Sequence, residues 1–237
     1  LGHILSVRAG SSYEQLLKQR IFGPLSMESS AITFSDSMRE RLAPGYTAIP
    51  NLLIPAQNWD LTSFAGAGAI RSTAEDMLKY LGAQLGLRDS VLHSAIELTQ
   101  QSREDFNDQM EIGLGWISVS GDDGSSYHWH NGGTGGYRTF AGFSRQQQRG
   151  VLVMANSTSS TDDIGRHLLD ASQSLSPLPV ERITIQLPEQ DLRKLVGSYR
   201  LSPEMVLEIT VQGDQIYAQA TTQPNFELFA ESTSEFF

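Results

Sequence analysis

The residues of this chain with the clearest chemical potential lie at positions 128–140, which read HWHNGGTGGYRTF. His130 ends an alternating run, and four glycines follow it within the five positions 132–136. Glycine in or after a strand lets a ligand or a second stretch of chain approach the backbone closely. An imidazole beside such a backbone can exchange protons near neutral pH. The segment therefore predicts a ligand site, and the alternative on composition alone is a flexible turn.

The same segment lacks the features of three other kinds of site. His128 and His130 share a strand face, but no carboxylate or cysteine lies nearby in sequence to complete a metal site. The glycines lack the Walker lysine and the GxGxxG spacing of phosphate loops. Thr134 lies in a G-x-T-x-G pattern without the strand-to-helix context of a nucleophile elbow. We therefore expect no metal and no cofactor.

A β-hairpin must position these residues. Alternating patterns predict strands at 127–131 and 136–144, and a further strand at 150–155 after a polar turn. Helices followed by consecutive antiparallel strands and a closing helix predict an α/β sandwich of the α+β kind. The other predicted elements are helices near 2–9, 11–21, 36–41, 72–85, 90–100 and 162–174, a strand at 112–119, and an irregular stretch at 28–64.

The C-terminal end of the chain has a different composition. Residues 175–181 are rich in proline and serine and predict a linker. The short β-like runs beyond it predict a partial small β domain with too few strands to close a barrel. The domain boundaries are therefore 1–174, 175–181 and 182–237. The predicted strands of the last part lie at 183–187, 197–201, 205–211, 215–221 and 226–229.

Three stretches together resemble one known family. They are the His-Asn-Gly at 130–132, the helical segment 1–27 with its PLSM turn, and the Gly/Ala-rich loop and STAED helix start at 65–81. They are similar to the third active-site motif (Lys or His, any residue, Gly) and two neighbouring segments of the serine β-lactamase superfamily. Its class C-like branch also holds D-alanyl-D-alanine peptidases and esterases. The resemblance covers 1–174, and residues 196–219 resemble the start of a β-barrel module that often follows these hydrolases.

The resemblance implies a role for each candidate residue. The backbone N–H of Gly133 would donate to the oxyanion, together with a donor on the family's serine. His130 would replace the family's lysine or histidine, orient a proton-shuttling hydroxyl and, when protonated, favour a substrate carboxylate. Arg138 is a second candidate for that carboxylate. The other candidates for contact with a small-molecule or peptide substrate are Asn131, Gly132, Thr134 and Gly135.

Two further motifs of the family are missing from this chain. Gln15, Asp76 and Asp191 stand three residues before the lysines, so there is no Ser-x-x-Lys, and no tyrosine or serine has an asparagine two residues later. We therefore expect the C-terminal part of an acyl-enzyme hydrolase of β-lactams, D-Ala peptides or small esters, inactive alone. His130 in place of lysine leans toward an esterase or peptidase. The alternatives are a non-catalytic binding protein that uses the same cleft and a two-chain enzyme.

Composition limits the partners. The formal charge of −10 argues against a nucleic-acid partner, because phosphate binding requires a basic surface. No apolar run approaches the roughly 18 to 20 residues that span a bilayer. The absence of cysteine leaves the compartment open, and a periplasmic or secreted parent protein is compatible with it. Both chain ends read as cuts, which leaves self-association through exposed edges as an open possibility.

Overall fold

A computed structural model of the protein describes residues 1–49, 52–107, 109–121, 124–177, 182–203 and 205–237. The chain divides into two compact units, Leu1–Pro177 and Leu178–Phe237. None of the helices in the described ranges is long and apolar enough to cross a membrane. The fold is mixed α/β with antiparallel sheets, as the sequence predicts.

The helices of the first unit begin where the capping residues predict. Ser12 accepts from the backbone N–H of Gln15 and forms a capping box, and Thr73 caps the fourth helix through the N–H of Asp76. The predicted helix 162–174 ends early, because the Asp170 carboxylate accepts from the backbone N–H of Ser172 and forms a local turn instead. The helices are α1 Gly2–Ala9, α2 Tyr13–Leu17 with a π-helical turn Lys18–Phe22, α3 Asp36–Glu40, α4 Ala74–Gln84, α5 His93–Gln100 and α6 Asp162–Leu169.

A six-stranded antiparallel sheet in the order β3-β4-β5-β6-β7-β8 forms the centre of the first unit. The single strand predicted at 112–119 is two strands, because a turn at Gly113–Trp116, with Gly115 at a φ of 92°, reverses the chain. The strand β3 was not predicted. The bounds are β3 Glu104–Asn107, β4 Met110–Ile112, β5 Ile117–Ser120, β6 Ser126–Thr134, β7 Tyr137–Ser144 and β8 Arg149–Ala155.

Helices cover both faces of this sheet. Phe143 packs on one face with Leu81 and Leu85 at the C-terminal end of α4. Phe140, on the opposite face because strand side chains alternate, packs with Leu169 of α6. Both phenylalanines are fully buried, so β7 runs through the middle of the core. A third cluster joins α2 to α4 and α5.

The stretch 28–64 contains a hairpin that the sequence analysis missed. Strands β1 Tyr46–Ile49 and β2 Leu52–Pro55 pair in antiparallel fashion, and residues 50 and 51 between them lie outside the described ranges. The hairpin region is tied to the turn between β6 and β7, since Tyr46 N–H donates to Gly136 O at 3.2 Å. Tyr137 Oη donates to the carbonyl of Ala43 at 2.7 Å. These long-range contacts stabilise a segment whose local pattern predicted no regular structure.

The second unit holds a four-stranded antiparallel sheet in the order β12-β11-β10-β9. The strand predicted at 183–187 is wrong: Ile185 N–H donates to Ala230 O at 2.8 Å, but no ladder forms, and Ile183 stays exposed. Among the described residues the sheet does not close into a barrel. Its elements are helix α7 Glu189–Leu192 and strands β9 Gly197–Arg200, β10 Val206–Gln212, β11 Gln215–Ala220 and β12 Asn225–Leu228.

A buried carboxylate fixes the start of α4. Asp76 is 2 % exposed and accepts from the backbone N–H of Ser29 and the hydroxyl of Ser30, both at 2.8 Å. Lys79 completes the group with its Nζ 3.0 Å from Asp76 Oδ1. The carboxylate therefore connects α4 to the loop after α2.

Asp76→Ala is expected to lower the free energy of unfolding by about 3 kcal/mol, because it removes the acceptor that the Ser29 N–H and the Ser30 hydroxyl share in a buried site. The matched control is Glu75→Ala. Glu75 also contacts Lys79, at 3.1 Å, but its side chain is 81 % exposed. This control should change stability by less than about 0.5 kcal/mol. Urea denaturation measures the free energy of unfolding of both variants. Equal losses of stability would contradict the role given to the buried carboxylate.

Candidate functional site

Strand β6 is only partly enclosed by its neighbours. It pairs with β7 from His128 to Thr134, across the whole glycine segment. Its pairing with β5 ends at Trp129. Among the described residues, positions 130–134 therefore have a strand on one side only. Backbone N–H and C=O groups on an open strand edge can bind an extended ligand.

The candidate residues are divided between the two faces of β6. His130 lies opposite Ala141, and Gly132 opposite Thr139, on the face that α4 covers. Asn131 and Gly133 lie on the other face, that of α6, because successive residues alternate. The His-x-Gly pattern thus places His130 and Gly132 on the same side of the strand.

The imidazole of His130 is exposed, and its Nδ1 lies 2.6 Å from the carbonyl oxygen of Asn131. A carbonyl only accepts hydrogen bonds, so Nδ1 carries the proton and donates. The other ring nitrogen, Nε2, is then directed away from this contact. The hydrogen bond fixes the ring orientation and leaves Nε2 as the atom that can exchange a proton with a ligand.

Asn131 has a contact of a different kind. Its Nδ2 donates to Asp162 Oδ2 at 2.7 Å, in the first turn of α6. The side chain therefore connects β6 to α6 on the face opposite His130. Its place in the motif predicts that Asn131 contacts the substrate, whereas strand alternation directs its amide toward α6.

Gly132 and Gly133 are covered by side chains of β7. The Thr139 hydroxyl lies 2.7 Å from the point where a Cβ of Gly132 would stand. The Arg138 guanidinium lies over Gly133, and any Cβ there would overlap it. These glycines therefore admit the two side chains of the neighbouring strand to the β6 backbone.

Gly135 and Gly136 are covered by the chain on either side of the β1–β2 hairpin. A Cβ on Gly135 would overlap the Gln57 carbonyl and stand 2.7 Å from Cδ1 of Trp59. Gly136 has a φ of 82° and would place its Cβ 2.7 Å from the carbonyl carbon of Gly45. The close approach that the glycine run predicts is, at these two positions, an approach by the chain itself.

A pocket of about 640 Å³ lies where this loop meets the turn between β6 and β7. Residues 56–61 form one wall, and Thr134 and Arg138 form part of the other. Thr47 and Thr158 also line it. The pocket therefore combines backbone, hydroxyl groups, the indole of Trp59 and a guanidinium within the first unit.

Arg71, which the sequence analysis did not single out, holds the pocket wall in place. Its Nη2 donates to the Trp59 carbonyl at 2.8 Å, and its Nη1 donates to the carbonyls of Ile32 and Ala69 at 2.7 and 3.0 Å. Its guanidinium also lies 4.7 Å from the ring centre of Phe34. Ile32, Phe34 and Trp59 are distant from Arg71 in the sequence, so no local sequence pattern could reveal these contacts.

His128, two residues before His130 on the same strand, allows the packing of β6 against its neighbours to be tested. Its Nδ1 lies 2.8 Å from Ser118 Oγ, and its ring centre lies 5.0 Å from that of Phe143, with the ring planes tilted by 37°. Burial, with a smaller contribution from the Arg145 charge, lowers the pKa of His128 below its ordinary 6.5. The folded state therefore resists protonation of this ring more than the unfolded state does.

Because the folded pKa is the lower one, the unfolded chain binds more protons below about pH 6.5, and stability should fall as the pH drops through that range. His128→Gln is expected to reduce, by up to one, the number of extra protons that the unfolded state binds relative to the folded state. The stability of the variant should therefore depend less on pH. Urea denaturation at pH 7.5 and 5.5 on both proteins measures the difference. An identical pH dependence in the variant would contradict the assignment.

The antiparallel sheet between helices, with a His-x-Gly segment on an open strand edge, defines a β-lactamase/transpeptidase-like fold. A β-lactamase/D-alanine carboxypeptidase from Pseudomonas syringae shares it, with a TM-score of 0.63 and 19 % identity over 74 % of this chain and 57 % of that chain. The family model described as Beta-lactamase matches residues 1–175. The chain belongs to the β-lactamase family.

Other relatives extend the match. An octameric penicillin-binding protein homologue from Pyrococcus abyssi is 26 % identical, has a TM-score of 0.61, and covers 96 % of this chain and 53 % of its own. Penicillin-binding protein 4* of Bacillus subtilis (strain 168) is 22 % identical over 100 % of this chain and 57 % of its own. The β-lactamase of Escherichia coli (strain K12) is 24 % identical over 62 % of this chain and 47 % of its own length. The chain spans about half the length of these curated relatives.

Proposed function

We propose that this chain is the C-terminal part of a serine hydrolase that opens amide or ester bonds through an acyl-enzyme. Its substrates would be β-lactams, D-Ala peptides or small esters. The observation that carries the proposal is the His-x-Gly segment at 130–132 on an open strand edge beside a pocket. The match to about half the length of two curated relatives supports the idea that the rest of the site lies on other residues.

In this proposal the chain stabilises the developing charge and positions the proton carrier. The N–H of Gly133 would donate to the oxyanion that forms when a serine attacks the carbonyl, and one such donor contributes about 3 kcal/mol to the transition state. His130, with Nδ1 engaged by the Asn131 carbonyl, would direct Nε2 toward the hydroxyl that passes the serine proton to the leaving group. Gly132, with no side chain, admits the Thr139 hydroxyl on that face.

The nucleophile would come from a Ser-x-x-Lys that is not in this sequence. The chain alone should therefore form no covalent adduct with a fluorophosphonate or a penicillin. The product of the full reading frame that contains it should gain one adduct per molecule by intact mass. An adduct on the chain alone, or none on the full product, would contradict the proposal.

A non-catalytic binding protein is the second candidate, and one observation favours it. The pocket is lined entirely by residues within 47–158, so this chain can offer a ligand site without a nucleophile. The coding sequence upstream of Leu1 separates the two candidates. A Ser-x-x-Lys in frame supports the enzyme, and a native start near Leu1 supports the binding protein.

A further inference from the structure

The strand segment 130–134 has one side-chain connection to the helix on its α6 face. Asn131 and Gly133 lie on that face, and the glycine has no side chain. The amide of Asn131 is therefore the only side chain of this segment that can bind α6. Its Nδ2 donates to Asp162 Oδ2 at 2.7 Å. The acceptor is a carboxylate, so this is a charge-assisted hydrogen bond.

Asp162 is itself held in place by α6. It lies in the first turn, where the helix dipole favours a carboxylate, and its side chain is only 22 % exposed. Its Oδ2 lies 3.7 Å from Nη2 of Arg166, and that guanidinium lies 4.5 Å from the ring centre of Trp129 on β6. The helix also packs on the sheet through Leu169. The carboxylate is therefore fixed relative to β6 by contacts that do not involve Asn131.

The backbone carbonyl of Asn131 faces the open edge of β6. Thr134 and Tyr137 close a two-residue turn and form a hydrogen-bonded pair, and such pairs alternate with non-bonded pairs along an antiparallel ladder. Asn131 lies an odd number of residues before Thr134, so its C=O points away from β7. At the open edge it accepts from His130 Nδ1 at 2.6 Å. The contact that orients the imidazole thus lies at the edge where a ligand would bind.

We propose that Asp162 is a positioning residue for proton transfer by His130. It anchors Asn131, whose carbonyl keeps the imidazole proton on Nδ1 and leaves Nε2 to exchange a proton with a ligand. The anchor is needed because Gly132 and Gly133 follow directly, and glycine permits other backbone conformations. This inference deepens the proposed function, on which its catalytic part rests.

The first experiment measures the tautomer of His130 in this chain by nitrogen-15 nuclear magnetic resonance, at about pH 8.5, where imidazoles are generally neutral. The chain has five histidines, and His130→Gln identifies the signals of position 130. We expect the Nδ1–H form to predominate. Asp162→Ala should reduce its share at least about 2-fold. Asp162→Asn keeps an oxygen that accepts from the Asn131 amide, so it should retain the Nδ1–H form.

The matched control is Asp163→Ala. Asp163 lies in the same turn of α6 and carries the same charge, but its carboxylate accepts from the backbone N–H of Ser176, at 2.9 Å. This variant should leave the tautomer of His130 unchanged. An equal loss of the Nδ1–H form in Asp163→Ala would overturn the proposal, because the effect would then follow from the charge or the helix alone.

Folding of each variant is checked by circular dichroism. If Asp162→Ala does not fold, Asn131→Ala takes its place, because it removes the other partner of the hydrogen bond and keeps the backbone carbonyl. An unchanged share of the Nδ1–H form in the variant that folds would overturn the proposal. A predominant Nε2–H form in the unchanged chain would overturn it as well.

The second experiment measures kcat and KM of the full reading-frame product for p-nitrophenyl acetate. Asp162→Ala should lower kcat about 10-fold with little change in KM, because it displaces the proton carrier and removes no contact with the ligand. Asp162→Asn should recover most of the loss. Asp162→Ala should cause no further loss when His130 is already replaced by alanine, because the two residues act through one path.

The two experiments separate this inference from the proposed function. A tautomer of His130 that depends on Asp162, with no turnover by the full product, would support the anchor and contradict the hydrolase. Turnover that Asp162→Ala leaves unchanged would support the hydrolase and overturn the role of Asp162 in proton transfer.

Discussion

Gly165→Ala is expected to lower the free energy of unfolding by about 3 kcal/mol, through overpacking of the core between α6 and the sheet. Gly165 is buried in the middle of α6, and a Cβ there would overlap the Phe140 ring. Phe140 is fully buried on β7 and packs against Leu169, so the ring has no space into which to move. Either the helix must lift from the sheet or the ring must leave its packing.

The control is Gly82→Ala in α4, the other helix that packs on this sheet. A Cβ on Gly82 would meet Cδ and Cγ of Arg88, at 3.7 and 3.9 Å, which is ordinary contact with a flexible side chain. Alanine favours the helix over glycine, so Gly82→Ala should raise the free energy of unfolding by about 0.5 to 1 kcal/mol. Urea denaturation of the three proteins gives the comparison. Effects of the same sign in both variants would contradict the packing described for α6.

His130→Ala in the product of the full reading frame is expected to reduce kcat/KM for p-nitrophenyl acetate by about 100-fold or more, the usual effect of removing a proton-transfer group. The ring is exposed, and its hydrogen bond among the described residues is with the neighbouring carbonyl of Asn131, so folding should be unaffected. The loss should lie in kcat rather than in thermal stability.

His93→Ala is the matched control for this prediction. His93 is exposed on α5, and its imidazole forms an ion pair with Glu97 of the same helix, at 3.2 Å. This variant should keep the full rate. A rate loss below about 3-fold in His130→Ala would remove His130 from the proton path and leave it as a surface residue of the motif strand.

The sequence predicts those parts of this fold that depend on local patterns. The caps at Ser12 and Thr73 are local hydrogen bonds, and the hairpin that carries His130 follows from residue alternation. The hairpin β1–β2 was missed because contacts far along the chain, such as that of Tyr46 with Gly136, hold it in place. The prediction of a strand at 183–187 is wrong because residue alternation alone does not form a strand. A strand also requires a neighbouring strand to pair with, and here, among the described residues, only Ile185 forms a backbone hydrogen bond, to Ala230.

The candidate site shows the same division. The glycine run predicts close approach to the backbone, but only tertiary structure reveals that Trp59 and Arg138 are among the groups that approach. The face on which Asn131 lies follows from strand alternation. Its partner Asp162 lies in α6, and the sequence does not predict where that helix packs on the sheet.

Turnover of nitrocefin and p-nitrophenyl acetate is the measurement that tests the central claim most directly. It is made on this chain alone, on this chain mixed with the polypeptide encoded upstream, and on the continuous product of both. We predict no turnover by the chain alone and turnover by the continuous product and the mixture, which would place the His-x-Gly strand in a shared serine-hydrolase site. Two results would contradict the account. One is turnover by the chain alone, and the other is no turnover by the continuous product when circular dichroism shows that it is folded.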